Sequence, residues 1–214
     1  MGVQQLKKVF LLFLCLLITC PTISCKDKST SVLSSDIEVV KVPNDKKVFD
    51  NLQQVEKNAT IIVEAVIEES LGQNIVTDSA NKNKKACPDY GYTKWEMKVT
   101  KIFTGDVKVG DKIPLLLEYY ILKGLNDKEK LITYTALKPP IIGKEYILFL
   151  KYDKKQNAYV PICDYEGMFP KPDTELKDKA KKDKLQQSDL DVYSDDTLEN
   201  IVPIYHKVVL KYFH

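Results

Sequence analysis

The sequence predicts a mainly β fold with added helices (β+α). An antiparallel barrel of about five strands is expected over residues 58–165, with a short helix before it and an amphipathic helix after it. Three observations carry this reading. Residues 93–100 alternate strictly, with Trp95, Met97 and Val99 on one face and Lys94, Glu96, Lys98 and Thr100 on the other, the period of a half-buried strand. Gly105-Asp106 and Gly110-Asp111 supply turn signals at short intervals. Apolar residues shift to helical spacing only at the two flanks.

Residues 1–24 read as a signal peptide. Lys7 and Lys8 precede an unbroken apolar run from Val9 to Ile18, and small or polar residues follow. The run is about 10 residues, roughly 15 Å as helix, against a hydrocarbon core of about 30 Å, so a permanent transmembrane helix is not expected. The opening Met-Gly lacks a myristoylation motif, because Leu6 stands where Ser or Thr is required. Residues 25–46 are polar and serine-rich and read as a flexible tether.

The domain then spans 47–170. Val48, Phe49, Leu52 and Val55 predict a short helix over 47–57. Thr60 to Ile67 is β-branched and apolar, and residues 71–91 read as a long loop. Further strands are expected at 113–122, 131–137, 146–150 and 158–163, with the charged loop Lys123 to Lys130 between the first two. In 164–169, Gly167 suggests a turn that packs Met168 and Phe169 against the barrel. Residues 171–193 are dominated by charged and amide side chains and read as a charged linker or solvated helix. In 194–214, Ser194 is a candidate N-cap for a helix carrying Leu198, Ile201, Tyr205, Val208, Val209 and Tyr212, with Pro203 kinking or restarting it.

Charge narrows the function. All 32 basic residues are lysine. Without arginine there is no bidentate guanidinium contact to phosphate or guanine, and no arginine finger. With Lys7 and Lys8 in a leader that has no acidic residue, the remainder carries 30 lysines against 30 Asp and Glu. A zero net charge gives no global attraction to nucleic acid, and none is expected as a partner. No phosphate-binding glycine loop or dinucleotide fingerprint is present, and no cofactor is expected.

Beyond Cys25, two cysteines remain, Cys87 and Cys163. An even count outside the cytosol is compatible with one disulfide. Its closure of about 77 residues would stabilise by roughly 4 kcal/mol in the chain-entropy model. Two unpaired thiols are the alternative; pairing is the expectation. Neither cysteine has zinc-ligand spacing with His206 or His214, so no metal site is expected. The histidines lack an acid or nucleophile partner in sequence, and no catalytic residue is assigned. The tyrosines Tyr119, Tyr120, Tyr134, Tyr146, Tyr152, Tyr159 and Tyr165 read as strand formers in or beside the core, with a sugar-binding stripe as the alternative.

Two resemblances sharpen the picture. Thr22-Ile23-Ser24-Cys25 resembles the bacterial lipobox, although Thr22 departs from the usual leucine. That resemblance implies a diacylglycerol on Cys25, which becomes the first residue after cleavage; Cys20, preceded by Thr19 and followed by Pro21, is the lesser alternative. Two acyl chains convert marginal membrane binding into stable anchoring. Ile61 to Val66, then Trp95 to Asp111, then Ile142-Gly-Lys-Glu-Tyr-Ile-Leu-Phe-Leu150 together look like the OB-fold barrel of netrin-like and tissue-inhibitor-of-metalloprotease-like domains. Gly143, Tyr146 and Phe149 fit that pattern, whereas Thr104 stands where the turn usually has lysine. The inhibitory chemistry of that family does not carry over, because a lipidated Cys25 has no free thiol to offer zinc.

The expectation is therefore an OB-like lipoprotein domain anchored to the cell membrane and facing outside the cytoplasm. It would act as a non-enzymatic binding or interaction module for a protein or envelope ligand. The alternative is an envelope hydrolase with an unrecognised carboxylate site.

Overall fold

The computed structural model describes residues 37–43, 47–77, 88–123, 128–163 and 165–213. The leader, Cys20, Cys25 and Cys87 lie outside the described residues. The molecule is mainly β, with nine strands in two sheets and three helices among the described residues.

Strands β2 (Ile61–Thr77) and β3 (Pro88–Thr104) form a long antiparallel hairpin. Strand β4 (Lys112–Leu117) runs antiparallel to β3. Strand β7 (Glu145–Asp153) pairs antiparallel with β8 (Ala158–Pro161) on one side. On the other side it pairs with the first part of β2, from Ile61↔Leu150 to Val66↔Glu145. A single parallel rung, Leu115↔Tyr159, links β4 to β8. The short β9 (Met168–Pro170) continues along β7 beyond β8. A second sheet holds β1 (Glu38–Lys41), β6 (Glu129–Thr133) and β5 (Tyr119–Lys123), with β1 parallel and β5 antiparallel to β6.

Alternation explains how one strand serves two packed layers. On β7, Tyr146, Leu148 and Leu150 share one face while Ile147 and Phe149 share the other, and all five are buried. The second face is covered by α3 (Asp195–Tyr212), whose Tyr205 and Tyr212 join Phe149, Phe169 and Phe103 in a chain of ring contacts at 4.6 to 6.0 Å. On β3, Trp95, Met97 and Val99 are all buried, as their alternation requires. The Trp95 indole N–H donates to the Tyr119 hydroxyl at 2.7 Å, which satisfies the one polar atom of that side chain.

The ends are set by capping. Helix α1 covers Leu52–Asn58 rather than 47–57, because the Asn51 side chain accepts from the Gln54 N–H and fixes the first turn there. Residues 47–49 precede it without regular structure, with Phe49 buried. Ser194 caps α3 by accepting from the Thr197 N–H, and the helix runs on through Pro203.

Several elements differ from expectation. Part of the tether is structured: Glu38–Lys41 pairs with Lys130–Thr133, and Lys130 meets Glu38 at 2.9 Å. The loop expected over 71–91 is strand at both ends, because cross-strand pairing satisfies that backbone while residues 71–74 stay exposed and Gly91 is buried. The strand expected over 113–122 breaks at Glu118, and its second half turns into the other sheet. Residues 171–193 are no free linker. Helix α2 (Thr174–Lys181) is capped by Asp173, and beyond it Leu185, Leu190 and Val192 are buried. Asp191, at φ +53°, accepts from Lys144 at 2.7 Å and from the Tyr146 hydroxyl at 3.1 Å, tying this segment to β7.

Candidate functional site

A cleft of about 310 Å³ opens where β4 and β8 part. Past the Leu115↔Tyr159 rung, β4 leads to Leu116, Leu117 and Glu118, while β8 leads to Val160, Pro161 and Ile162. These diverging chains line the cleft. Parallel strands joined at a single rung leave a gap at their far ends, and apolar side chains of both strands line it. Further hollows of about 450 and 500 Å³ lie between α1 and α3 and over residues 185–198. Neither matches the first in combining an apolar lining from two strands with a charged rim.

Four charges surround the cleft: Lys47, Lys151, Glu118 and Asp153. Lys151 and Asp153 are two residues apart on β7 and therefore share a face. Asp153 Oδ1 accepts from the backbone N–H of Lys155 and Gln156 at 2.8 and 3.2 Å, which builds the β7–β8 turn. Tyr90 hydrogen-bonds Glu118; partial burial and that carboxylate both push its phenol pKa upward. The hydroxyl is thus held neutral, as a donor.

One end of the cleft is held by a buried carboxyl. Between β8 and β9 the chain leaves the strand and returns across Phe149, whose carbonyl accepts from Ile162 N–H at 3.2 Å and whose N–H donates to the Gly167 carbonyl at 2.8 Å. Gly167 is required there, because a Cβ would lie 2.7 Å from Pro161 Cβ. Within this excursion Glu166 is fully buried, and its Oε1 accepts from the Phe49 N–H at 3.1 Å. Its Oε2 has no hydrogen-bond partner among the described residues. Burial raises the Glu166 pKa, against the lowering pull of the Cys163 thiol and of nearby backbone N–H groups. Glu166 thus fastens the 47–50 segment beside the cleft, where Lys47 and Cys163 both contribute to the wall.

A second buried carboxylate has a structural task. Glu64 is 2% exposed in the middle of β2. Lys171 bridges Glu64 and Glu145 at 2.7 and 2.9 Å, and Lys101 lies 3.5 Å from Glu64. Thr100 also hydrogen-bonds Glu145. This network ties the end of β9 to β2, β3 and β7.

The other residues singled out by sequence are dispersed. Cys163 is buried next to Glu166, and its expected partner Cys87 lies outside the described residues. Of the seven tyrosines, Tyr119, Tyr120, Tyr146 and Tyr165 are buried, and Tyr152 is the exposed one at 41%. They form no surface stripe. His206 sits 3.9 Å from Asp183 on α3, away from the cleft, and His214 lies outside the described residues. Among the described residues no group of three or more His, Cys, Asp or Glu could hold a metal ion, and no helix is long and apolar enough to cross a membrane. The cleft itself escaped the sequence reading, because six separated segments build it, at 47, 90, 116–118, 135–137, 151–156 and 160–163. No family model matches this chain, and no curated protein matches it.

Proposed function

We propose that this chain is a membrane-anchored lipoprotein whose OB-like domain is displayed outside the cytoplasm as a binding module, with its ligand in the cleft between β4 and β8. The anchoring part rests on the leader and on Thr22-Ile23-Ser24-Cys25. The OB-like reading is supported by the pairing order β2-β3-β4-β8-β7, with β7 returning to β2 and β4 parallel to β8. It is also supported by Gly105 and Gly110, both at positive φ, between β3 and β4, and by Gly143 just before β7. These are the positions at which the sequence resembles netrin-like domains.

The binding role is carried by one observation. The cleft sets leucine, valine, isoleucine and proline residues beside two lysines and two carboxylates, in a volume at the low end of the usual range for ligand sites, about 300–1,000 Å³. Its carboxylates, Glu118 and Asp153, already accept hydrogen bonds from Tyr90 and from the β7–β8 turn. That arrangement favours holding a ligand over hydrolysing one.

Fractionation combined with capture tests the proposal. The wild-type chain should sediment with membranes, and Cys25→Ser should release it or block its processing. Cross-linking in intact envelopes should trap a ligand on the wild type and lose it on Val160→Phe, which fills the cleft. Unchanged membrane retention and mature mass in Cys25→Ser would overturn the anchor. Equal trapping by Val160→Phe would overturn the cleft.

A further inference from the structure

We infer that the cleft takes a small zwitterion with an apolar side chain, chemically an apolar amino acid or dipeptide carrying both a free ammonium and a free carboxylate. This rests on the cleft being the binding site proposed above and names the class of its ligand.

Size sets the first limit. A volume of about 310 Å³ stands at the low end of ligand pockets, about 300–1,000 Å³. That suits one or two residues better than a helix or an oligosaccharide. The floor sets the second. Leu116 and Val160 pack in one cluster and offer no side-chain hydrogen bond, so the part of the ligand against them is apolar.

Charge sets the third and most selective limit. The rim carries two ammonium groups, Lys47 and Lys151, and two carboxylates, Glu118 and Asp153. A purely anionic amphiphile would meet two carboxylates as well as two lysines, and a purely cationic one the reverse. A ligand carrying one charge of each sign can place each beside its opposite, which is how complementary charge confers specificity. Asp153 keeps capacity for a ligand ammonium. Both turn hydrogen bonds to Asp153 fall on Oδ1, and a carboxylate has about four lone-pair sites. Lysines suit this task as well as arginines would, because a terminal carboxylate at a partly open rim needs a point charge and not a planar fork.

The test is a charge series on one side chain. Leucyl-leucine, its N-acetyl form, its amide and the N-acetyl amide are titrated calorimetrically into the full-length protein in detergent. The zwitterion should bind at least tenfold more tightly than each of the other three. Lys151→Gln should weaken the zwitterion and the N-acetyl acid but leave the amide unchanged; Glu118→Gln should weaken the zwitterion and the amide but leave the N-acetyl acid unchanged. Both substitutions are at the rim, and equal melting temperatures would establish that they fold. Equal or tighter binding of the N-acetyl acid, indifference to both end groups, or no binding of any member would overturn the inference. If the series fails while envelope cross-linking still depends on Val160, the cleft stands as the binding site and only the ligand class falls.

Discussion

The two halves of β2 share one strand and one partner, yet live in different environments. From Ile61 to Ile67 the strand lies between β3 and β7, and Ile61, Ile62, Val63, Ala65 and Ile67 are all buried. From Glu69 onward it pairs with β3 alone, and Leu71 and Val76 are exposed at 51% and 46%. The change coincides with register shifts between Ile67 and Glu69 and between Ser70 and Gly72. Irregularities of this kind bend and twist a strand, and here β2 parts from β7. The lesson is that a second pairing partner, more than residue type, decides which half of a strand belongs to the core. The distal half is steadied instead by a side chain: Gln73 donates to the Ile121 carbonyl at 2.9 Å and accepts from the Ile121 N–H at 2.8 Å. That amide stands in for a neighbouring strand at the edge of β5, a way of occupying an edge that would otherwise be open.

The comparison can be broken most severely in the doubly paired region. Phe149→Ala removes a ring packed against Phe169 and Tyr212 on the strand that β2 joins. It should cost about 3–5 kcal/mol, the range for a buried phenylalanine, read as a lower denaturation midpoint. Lys171→Met leaves Glu64 buried with only the longer contact to Lys101. Because Lys171 is itself partly exposed, about 1–3 kcal/mol is expected, and Glu64→Gln in the same background should recover part of it. A difference below measurement error would show that the network contributes nothing.

The buried Glu166 gives a pH signature to the same body. Its folded pKa is raised, so the unfolded chain ionises first. Stability conferred by the protonated carboxyl is complete below the ordinary carboxylate range and is lost as pH rises through the raised folded value. Glu166→Gln, which keeps an acceptor for the Phe49 N–H, should flatten that part of the stability profile. An identical pH profile in the variant would contradict the assignment.

The singly paired half should respond weakly. Gln73→Ala deletes two exposed hydrogen bonds and should cost about 1 kcal/mol, seen as faster hydrogen exchange at Ile121 ahead of global unfolding. Leu71→Ser should fall within about 0.5 kcal/mol of the parent. A large loss there would mean that the distal hairpin packs against something the comparison omits.

The same contrast explains how much could be read from sequence. Trp95, Met97 and Val99 were legible because a strand with one buried face must alternate, and the Ser194 cap was legible because its chemistry is local. Strand β1 was not, because the short apolar stretch Ile37, Val39, Val40 and Val42 follows a serine-rich run and was read with it as one tether. The distal half of β2 left no apolar pattern because its own side chains are mostly exposed, although Tyr92 and Thr93 opposite it are buried. Leu185, Leu190 and Val192 are too sparse among charges to announce that they pack. The cleft was the least legible feature. Lys47, Glu118, Lys151 and Cys163 meet only because β4 and β8 diverge and Glu166 holds the 47–50 segment in place, and no local pattern encodes either event.

Methyl-resolved NMR of the full-length protein during titration with a low-molecular-weight envelope extract tests the central claim most directly. The account predicts saturable shifts concentrated on Leu116, Val160 and Ile162, absent in Val160→Phe at its remaining methyls. Shifts centred instead on the distal hairpin or on α3, or no saturable shift at all, would contradict a ligand site between β4 and β8.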